Sequence, residues 1–416
     1  MEEEKLLIKN ASQVVTCSGF AAKKGAEMAE LDIIKDGAVA VANGIITHVG
    51  TTKEVLRQIN TEEYLEIDAE GRALLPGFVD SHTHFLFDGY REEEFSWRLQ
   101  GDSDMSIMAR GGGIVSTVNA TRKCAYEKLL NLGCERLDDM LNMGVTTVEG
   151  KSGYGLDFYT ELTLLRVMDD LNERHPMDVV STFLGAHAVP PEFEGRTDDY
   201  ITYVIKDVLP HIRSERTVTF CDVFCEKGAF SVEQSERLLR AARSLRFKLK
   251  MHADGIGSFG GTELAAKLKI VSADHLLHAS DAGIKRLARS CVVATLLPLT
   301  SFSLDEPYAR GREMIDAGCA VALATDFNPG SSFSCSIPLL FSLACIKMKL
   351  SPEEAVTALT INGAAALGRA GKIGSIDVGK KADMVLLKFP SYKFIPYHIG
   401  MNVVDTVIKD GELYIV

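Results

Sequence analysis

The sequence has no apolar run long enough to cross a bilayer. Its longest apolar stretches, such as Cys291–Leu297, fall far short of the ~20 residues a spanning helix needs. It opens Met1-Glu2-Glu3-Glu4, the opposite of the positive first segment of a signal peptide, so a cytoplasmic protein is expected. Cys-x-x-Cys pairs are absent. Nine scattered cysteines, an odd number in a long chain, do not make a disulfide framework and read as reduced, small hydrophobes. Basic charge is in deficit: 45 Lys and Arg against 57 Asp and Glu leave −12, which argues against a general binder of nucleic acid or anionic membrane. A small anionic substrate remains compatible, because one local Arg can outweigh a diffuse acidic surface. Solenoid repeats and low-complexity linkers are also missing.

What is present is the balance of an ordinary globular protein, 46% apolar and 25% charged. The length suits two or three domains, or one α/β barrel of ~250 residues with a smaller unit. Both ends look β-rich. Leu6–Ile8, Gly37–Val41 and Ile45–Val49 are strand-like, with the hairpin pair Asn43-Gly44 between the last two. Asp383–Leu387, Val403–Ile408 and Leu413–Val416 repeat the pattern around Asp410-Gly411. A small composite β-sandwich-like domain from residues 1–70 and 370–416 is therefore expected.

Between the ends, short apolar runs that close on polar residues alternate with helix-like stretches. Eight such runs are Ala73–His84, Val145–Gly150, Val179–His187, Cys221–Glu226, Phe247–His252, Ser272–His275, Val292–Leu297 and Ala320–Asp326. Helical apolar spacing marks Thr160–Asp170, Glu233–Leu245 and Pro352–Leu367. The alternation predicts a parallel sheet closed into a (β/α)₈ TIM-type barrel over 71–369, with polar strand ends on the catalytic face.

Five of the ten histidines sit at those ends: His82, His84, His187, His252 and His275. In an extended chain residues i and i+2 share a face, so His82 and His84 can reach one ion; alone, the pair could equally be hydrogen-bonded core histidines. His252 ends the fifth predicted strand and Asp326 the eighth. Together they offer three nitrogens and one oxygen, a set suited to Zn²⁺, or Fe as second choice, with a position open for water. His275 ends the sixth strand, placed to hydrogen-bond substrate or a metal-bound hydroxide. Position alone leaves His187 undecided between core and site. The Gly111–Gly113 run lacks the Lys-Ser/Thr of a phosphate-binding loop.

Pro76-Gly77-Phe78-Val79-Asp80-Ser81-His82-Thr83-His84 resembles the first-strand signature of the metal-dependent amidohydrolase superfamily. Longer segments resemble its imidazolonepropionase family: Arg91–Phe95 with Arg98, Gly111–Ile114 running to Thr121-Arg122, Lys151–Gly155, Phe183–Pro191, Asp222–Glu226 and Ala324–Ser332. The likeness runs from about residue 70 to the end. It implies ligand roles for His82, His84, His252 and Asp326, and substrate roles for Arg91, Tyr154, His187, Asn328, Gly330 and Ser331. The substrate it implies, 4-imidazolone-5-propanoate, carries a carboxylate that a guanidinium grips through two parallel hydrogen bonds.

The expected reaction is metal-dependent hydrolysis of that cyclic amide to N-formimino-L-glutamate in histidine degradation. In it Asp326 takes the water proton, and His275 or His187 stabilises the oxyanion. Two positions depart from the family pattern. Gly255 stands where the family usually has Glu after His-Ala-Asp, removing a proton carrier. Leu299 stands where it usually has Gly, and could narrow the pocket. The rival readings are a related aminohydrolase that deaminates a small heterocycle, and a catalytically silent binding homologue. The expected partners are the small anionic substrate and a second copy of the chain in a homodimer, with no nucleic acid and no membrane.

Overall fold

The computed structural model describes residues 4–215 and 217–416; the expectation drawn from the acidic opening lies on Met1–Glu3, outside them. Strands from both ends of the chain share one eight-stranded sheet. Lys5–Val15, Ile33–Ala42, Ile45–Thr51, Leu65–Asp68 and Ala73–Pro76 are joined there by Met384–Leu387, Val404–Lys409 and Glu412–Ile415. Both hairpin pairs take the positive φ that their turns require: 51° and 74° at Asn43 and Gly44, 51° and 88° at Asp410 and Gly411. The two turns pack together. A Cβ on Gly44 would lie 2.7 Å from the Asp410 carbonyl oxygen, so glycine is needed there for space as well as for φ.

A second sheet forms the barrel from eight parallel strands in sequential order. They are β1 (Phe78–Asp80), β2 (Val145–Lys151), β3 (Asp178–Ala186), β4 (Phe220–Cys225), β5 (Lys248–Ala253), β6 (Ser272–His275), β7 (Val293–Leu296) and β8 (Ala320–Leu323). The ring closes just past β1 and β8. There Thr83 bridges Phe327, the Asp326 amide donates to His82 O (3.0 Å), and the His84 amide donates to Phe327 O (2.9 Å). Helices cover the outside by burying one face. In Val232–Ser244, a Ser231/Gln234 capping box starts the helix, and Leu238, Leu239 and Ala242 are buried.

Two expectations need correction. Ala73–His84 is not one strand. It divides at Gly77, so that Ala73–Pro76 pairs with Met384–Leu386 in the first sheet and Phe78–Asp80 enters the barrel. The crossing is tight: a Cβ on Gly77 would lie 2.3 Å from Thr146 Oγ1. Pro352–Leu367 is two helices, Pro352–Leu359 and Ile361–Ala366. Thr360 breaks them at φ −121°, ψ −97°, its hydroxyl donating back to Val356 O. The second helix thereby brings Gly363 against the β1 backbone, within 2.7 Å of Val79 O for a built Cβ. Charges stitch the units together. Asp178, opening β3, meets Lys381 (3.1 Å) and the buried Lys409 (3.4 Å). All nine cysteines are free, four of them fully buried and Cys291 exposed. Among the described residues no helix is long and apolar enough to cross a membrane.

Candidate functional site

The strand ends of the barrel surround a cavity of about 580 Å³, the size of a small-molecule site. His84, His187, His252, His275, Asp326, Arg91, Tyr154, Asn328, Gly330 and Ser331 all line it. One pocket thus gathers every expected site residue except His82, which is fully buried in contact with the others. The outlier among expectations is Leu299. It is buried in the hydrophobic core and does not line the cavity, where Leu304 of the same helix does. Its side chain faces packing rather than pocket, so narrowing of the cavity by Leu299 is not observed.

Four ligand-type atoms converge. His82 Nε2 and His84 Nε2 lie 3.4 and 3.7 Å from Asp326 Oδ1, and His84 Nε2 lies 3.3 Å from His252 Nε2. The far side of the His82 ring is fixed by an acid, its Nδ1 hydrogen-bonded to Asp274 Oδ2 at 2.7 Å, while His252 Nδ1 lies 3.2 Å from Asp222 Oδ2 without hydrogen-bond geometry. A carboxylate on Nδ1 places the proton there and leaves the Nε2 lone pair turned inward, the arrangement that metal-ligating histidines use. His82 Nε2 is buried without a hydrogen-bond partner, and burial drives the pKa of both His82 and His84 far down, keeping them neutral. Neutral imidazoles crowding a buried carboxylate at these separations suit a metal ion between them. The mutually close groups are His82 with His84 and Asp326, and His82 with His252 and His275, so His82 is common to both.

The backbone at these positions is unusual. His275, Leu276 and Asp326 take φ of 78°, 60° and 51°, a left-handed conformation rare for residues with side chains and common at sites that the surrounding structure holds in place. Thr300 adds a support that the sequence reading missed: its hydroxyl donates to Asp326 Oδ2 at 2.6 Å. Burial raises the Asp326 pKa to about 6, against the opposing pull of that hydroxyl.

Beneath the cluster lies a fully buried charge array. Lys151 Nζ reaches Asp222 (2.6 Å), Glu149 (3.1 Å) and Asp274 (3.5 Å), and Lys250 Nζ reaches Glu149 (2.7 Å) and Ser81 O (2.8 Å). These lysines keep the acids beside His82 and His252 compensated in a dry interior. Each sits on a strand in a run that reads as ordinary β, so only its pairing across the barrel reveals the role.

At the cavity's other lining, Arg91 precedes the helix Glu92–Leu99. Its Nε and Nη2 both meet Glu94 Oε2 at 2.8 Å, and Glu94 also accepts from the Gly113 amide and the Ser116 hydroxyl. The glycine run at 111–113 therefore serves this pair: a Cβ on Gly112 would lie 2.9 Å from Glu94 Cδ. Asn328 organises its own loop, accepting from the Gly330 and Ser331 amides and donating to Asp326 O and Ser331 Oγ. His187 Nδ1 lies 3.1 Å from Gly153 O, and its ring stacks on His84 with centroids 4.9 Å apart. The Tyr154 ring is 5.5 Å from His187.

A barrel with this cluster is the architecture of amidohydrolases, and residues 225–414 match the Amidohydrolase family. Among solved structures, the chain is similar to an adenosine deaminase from Xanthomonas campestris with bound zinc (TM-score 0.71, 20% identity, 99% of this chain and 93% of that one). It is also similar to a triazine hydrolase variant (TM-score 0.74, 17% identity, 99% and 94%). At such identities they speak for the fold. The curated relatives are much nearer. Imidazolonepropionase of Parabacteroides distasonis is 74% identical over 414 residues, covering 100% of both chains. Those of Bacteroides thetaiotaomicron and Clostridium tetani are 61% and 57% identical over 99% of each chain. The chain belongs to the imidazolonepropionase family.

Proposed function

We propose that the protein hydrolyses the cyclic amide of 4-imidazolone-5-propanoate to N-formimino-L-glutamate, a step of histidine degradation. The observation that carries this is a single cavity lined by both a guanidinium and a converging His/Asp cluster, which matches a small ring bearing a carboxylate. Full-length kinship with imidazolonepropionases supports it.

His82, His84, His252 and Asp326 would hold the metal, Zn²⁺ by preference for three nitrogens and one oxygen and Fe as second choice. Such an ion, when bound, lowers the pKa of water toward ~7 and polarises the ring carbonyl. Arg91 binds the propanoate carboxylate, held in orientation by Glu94, and the Ser331 hydroxyl and the Gly330 segment complete the cradle beside Tyr154. Asp326 accepts the proton of the attacking water.

The two remaining histidines divide their work by tautomer. A carbonyl oxygen only accepts, so His187 Nδ1 carries the hydrogen that faces Gly153 O. Burial lowers its pKa to about 3, leaving Nε2 unprotonated as an acceptor for a ring N–H. The oxyanion donor is then His275, which lies beside His82 and His252 with ring centroids 5.4 and 5.1 Å away. The reading includes a cytoplasmic homodimer, which fractionation and light scattering test.

The deciding experiment is a turnover assay with 4-imidazolone-5-propanoate on metal-loaded protein, with product identification. N-formimino-L-glutamate is expected. Release of ammonia from the ring would make the protein an aminohydrolase, and no turnover at full metal loading would leave a binding homologue.

A further inference from the structure

Opening a ring amide ends with a proton on the departing nitrogen, and a side-chain acid can deliver it only through an oxygen not already engaged. Most acids at this end of the barrel are engaged. Asp222, Asp274 and Glu149 are held by the buried lysines. Asp254 accepts from the amides of Phe259, Gly260, Gly261 and Thr262. Glu161 accepts from those of Gly153, Gly155 and Leu156. Asp326 faces the histidines with one oxygen and Thr300 with the other, and it is already committed to the proton of the attacking water.

Glu226 differs. It follows β4 and is 1% exposed; Oε2 accepts from the Gly255 and Ile256 amides at 2.7 and 3.0 Å, while Oε1 has no hydrogen-bond partner among the described residues. Its chain neighbours Phe224 and Lys227–Ala229, and Ile256 beside it, line the cavity. Gly255 brings it toward the site: a Cβ built there would lie 3.6 Å from Glu226 Oε2 and 3.4 Å from His275 Cβ. Carboxylate and imidazole thus flank one point.

We infer that Glu226 is the acid that protonates the leaving ring nitrogen. This rests on the ring-hydrolysis reading above. The oxygen of water bonds to the carbonyl carbon while Asp326 takes its proton. The ring C–N bond then breaks with its electron pair on nitrogen, and the Glu226 carboxylic acid gives that nitrogen its proton. Asp326 then releases its proton to solvent and Glu226 takes one up before the next turnover, so one water is consumed and no net proton. Burial raises the Glu226 pKa against the pull of the backbone amides of Ile256, Gly255 and Lys227, and the neighbouring Asp254 charge adds to the rise; burial and that charge both favour the acid form. Lys227 and His275 are the nearby groups of opposite character.

Glu226→Gln is the test, because the amide oxygen still accepts both backbone N–H groups while the transferable proton is gone. With 4-imidazolone-5-propanoate, kcat should fall roughly 10²- to 10⁴-fold at little-changed KM, metal content and melting temperature. Adding Gly255→Glu to that variant should restore at least about tenfold of the loss, since the new Cβ meets its neighbours at ordinary contact distances. A Glu226→Gln protein with wild-type kcat overturns the inference, as does a failure of Gly255→Glu to rescue. If the Gln variant loses fold or metal, Glu226→Asp decides instead: a clear drop in kcat at constant KM supports the role, and an unchanged kcat ends it. An inactive metal-loaded wild type would instead refute the substrate reading, so the two failures are distinguishable.

Discussion

Arg91 lies against Gly330 so closely that a methyl group on the glycine would sit 2.2 Å from Nη1. The loop at 328–331 is therefore a wall that sets where the guanidinium points. Gly330→Ala must push Arg91 away from its position beside Glu94 without altering any charge. The expected result is a raised KM with kcat within a few-fold and metal content unchanged, because a ground-state contact is lost. Arg91→Ala should raise KM by roughly 10- to 150-fold, the worth of a charge-assisted pair at ~1.5–3 kcal/mol. Steady-state kinetics check both, and unaltered KM values would place the anion site elsewhere.

One tightly held transition-metal ion per chain is expected from the convergence of His82, His84, His252 and Asp326. Elemental analysis of protein purified without chelator measures it. Less than a few tenths of an equivalent, with no gain on reconstitution, would dismantle the proposed centre.

Thr300 supports Asp326 through a 2.6 Å hydrogen bond, so Thr300→Val removes a donor while keeping the shape of the side chain. Metal affinity should fall roughly 10- to 100-fold, as for other groups that orient a ligand. Competition with a chromophoric chelator reads this directly; equal affinity in wild type and variant would make the bond incidental.

The sequence carried the periodic and the local. Eight apolar runs, most of them ending in polar residues, announced the barrel, and turn pairs such as Asn43-Gly44 located hairpins, because backbone φ requirements act within two residues. His82 and His84 were legible through strand alternation. What escaped depends on contacts across the barrel. Lys151 and Lys250 look like solvent-facing residues of alternating strands, yet both are buried because acids from non-adjacent strands meet them inside the barrel. The break at Gly77 was legible but passed over: Pro76-Gly77 is a turn signal inside an otherwise strand-like run, and the pairing of Ala73–Pro76 with Met384–Leu386 completes the division. Leu299 shows the reverse error. A change of residue at a strand end suggested the pocket, but the turn into the following helix directs that side chain into the core.

Asp178 joins the barrel to the terminal sheet through Lys381, Lys409 and Arg369. Burial works against its charge, but these three cations outweigh it and lower its pKa. Asp178→Asn should destabilise the protein at pH 7 by about 1–3 kcal/mol, the cost of leaving a buried cation short of one partner. Lys409 keeps Asp383 and Asp410, which limits the loss. Because the folded pKa is depressed, the contribution is present above the ordinary carboxylate range and is lost as pH falls through the lowered value. The gap between wild type and variant in denaturant unfolding should therefore close in acid; a gap that persists there would mean that charge is not its source.

His187 gives the opposite kind of pH dependence. Burial lowers its folded pKa to about 3, whereas an exposed imidazole in the unfolded chain titrates near ~6.5. Between those values the unfolded state binds a proton that the folded state refuses, so stability declines as pH falls below ~6.5 and rises as pH increases. At pH 5 the separation already engaged is about 1.5 units, or roughly 2 kcal/mol at 1.36 kcal/mol per unit. His82, His84 and His275 are lowered in the same direction, so the absolute slope belongs to all of them, and a single substitution isolates one share. His187→Gln can still donate to Gly153 O but does not titrate. Denaturant unfolding of metal-depleted protein at pH 7 and pH 5 should show a loss in wild type that exceeds the loss in the variant by about 2 kcal/mol. Equal losses would mean that His187 is already protonated in the folded protein at pH 5. Its Nε2 would then be a donor, and its assignment as acceptor for the substrate's ring N–H would fall with it.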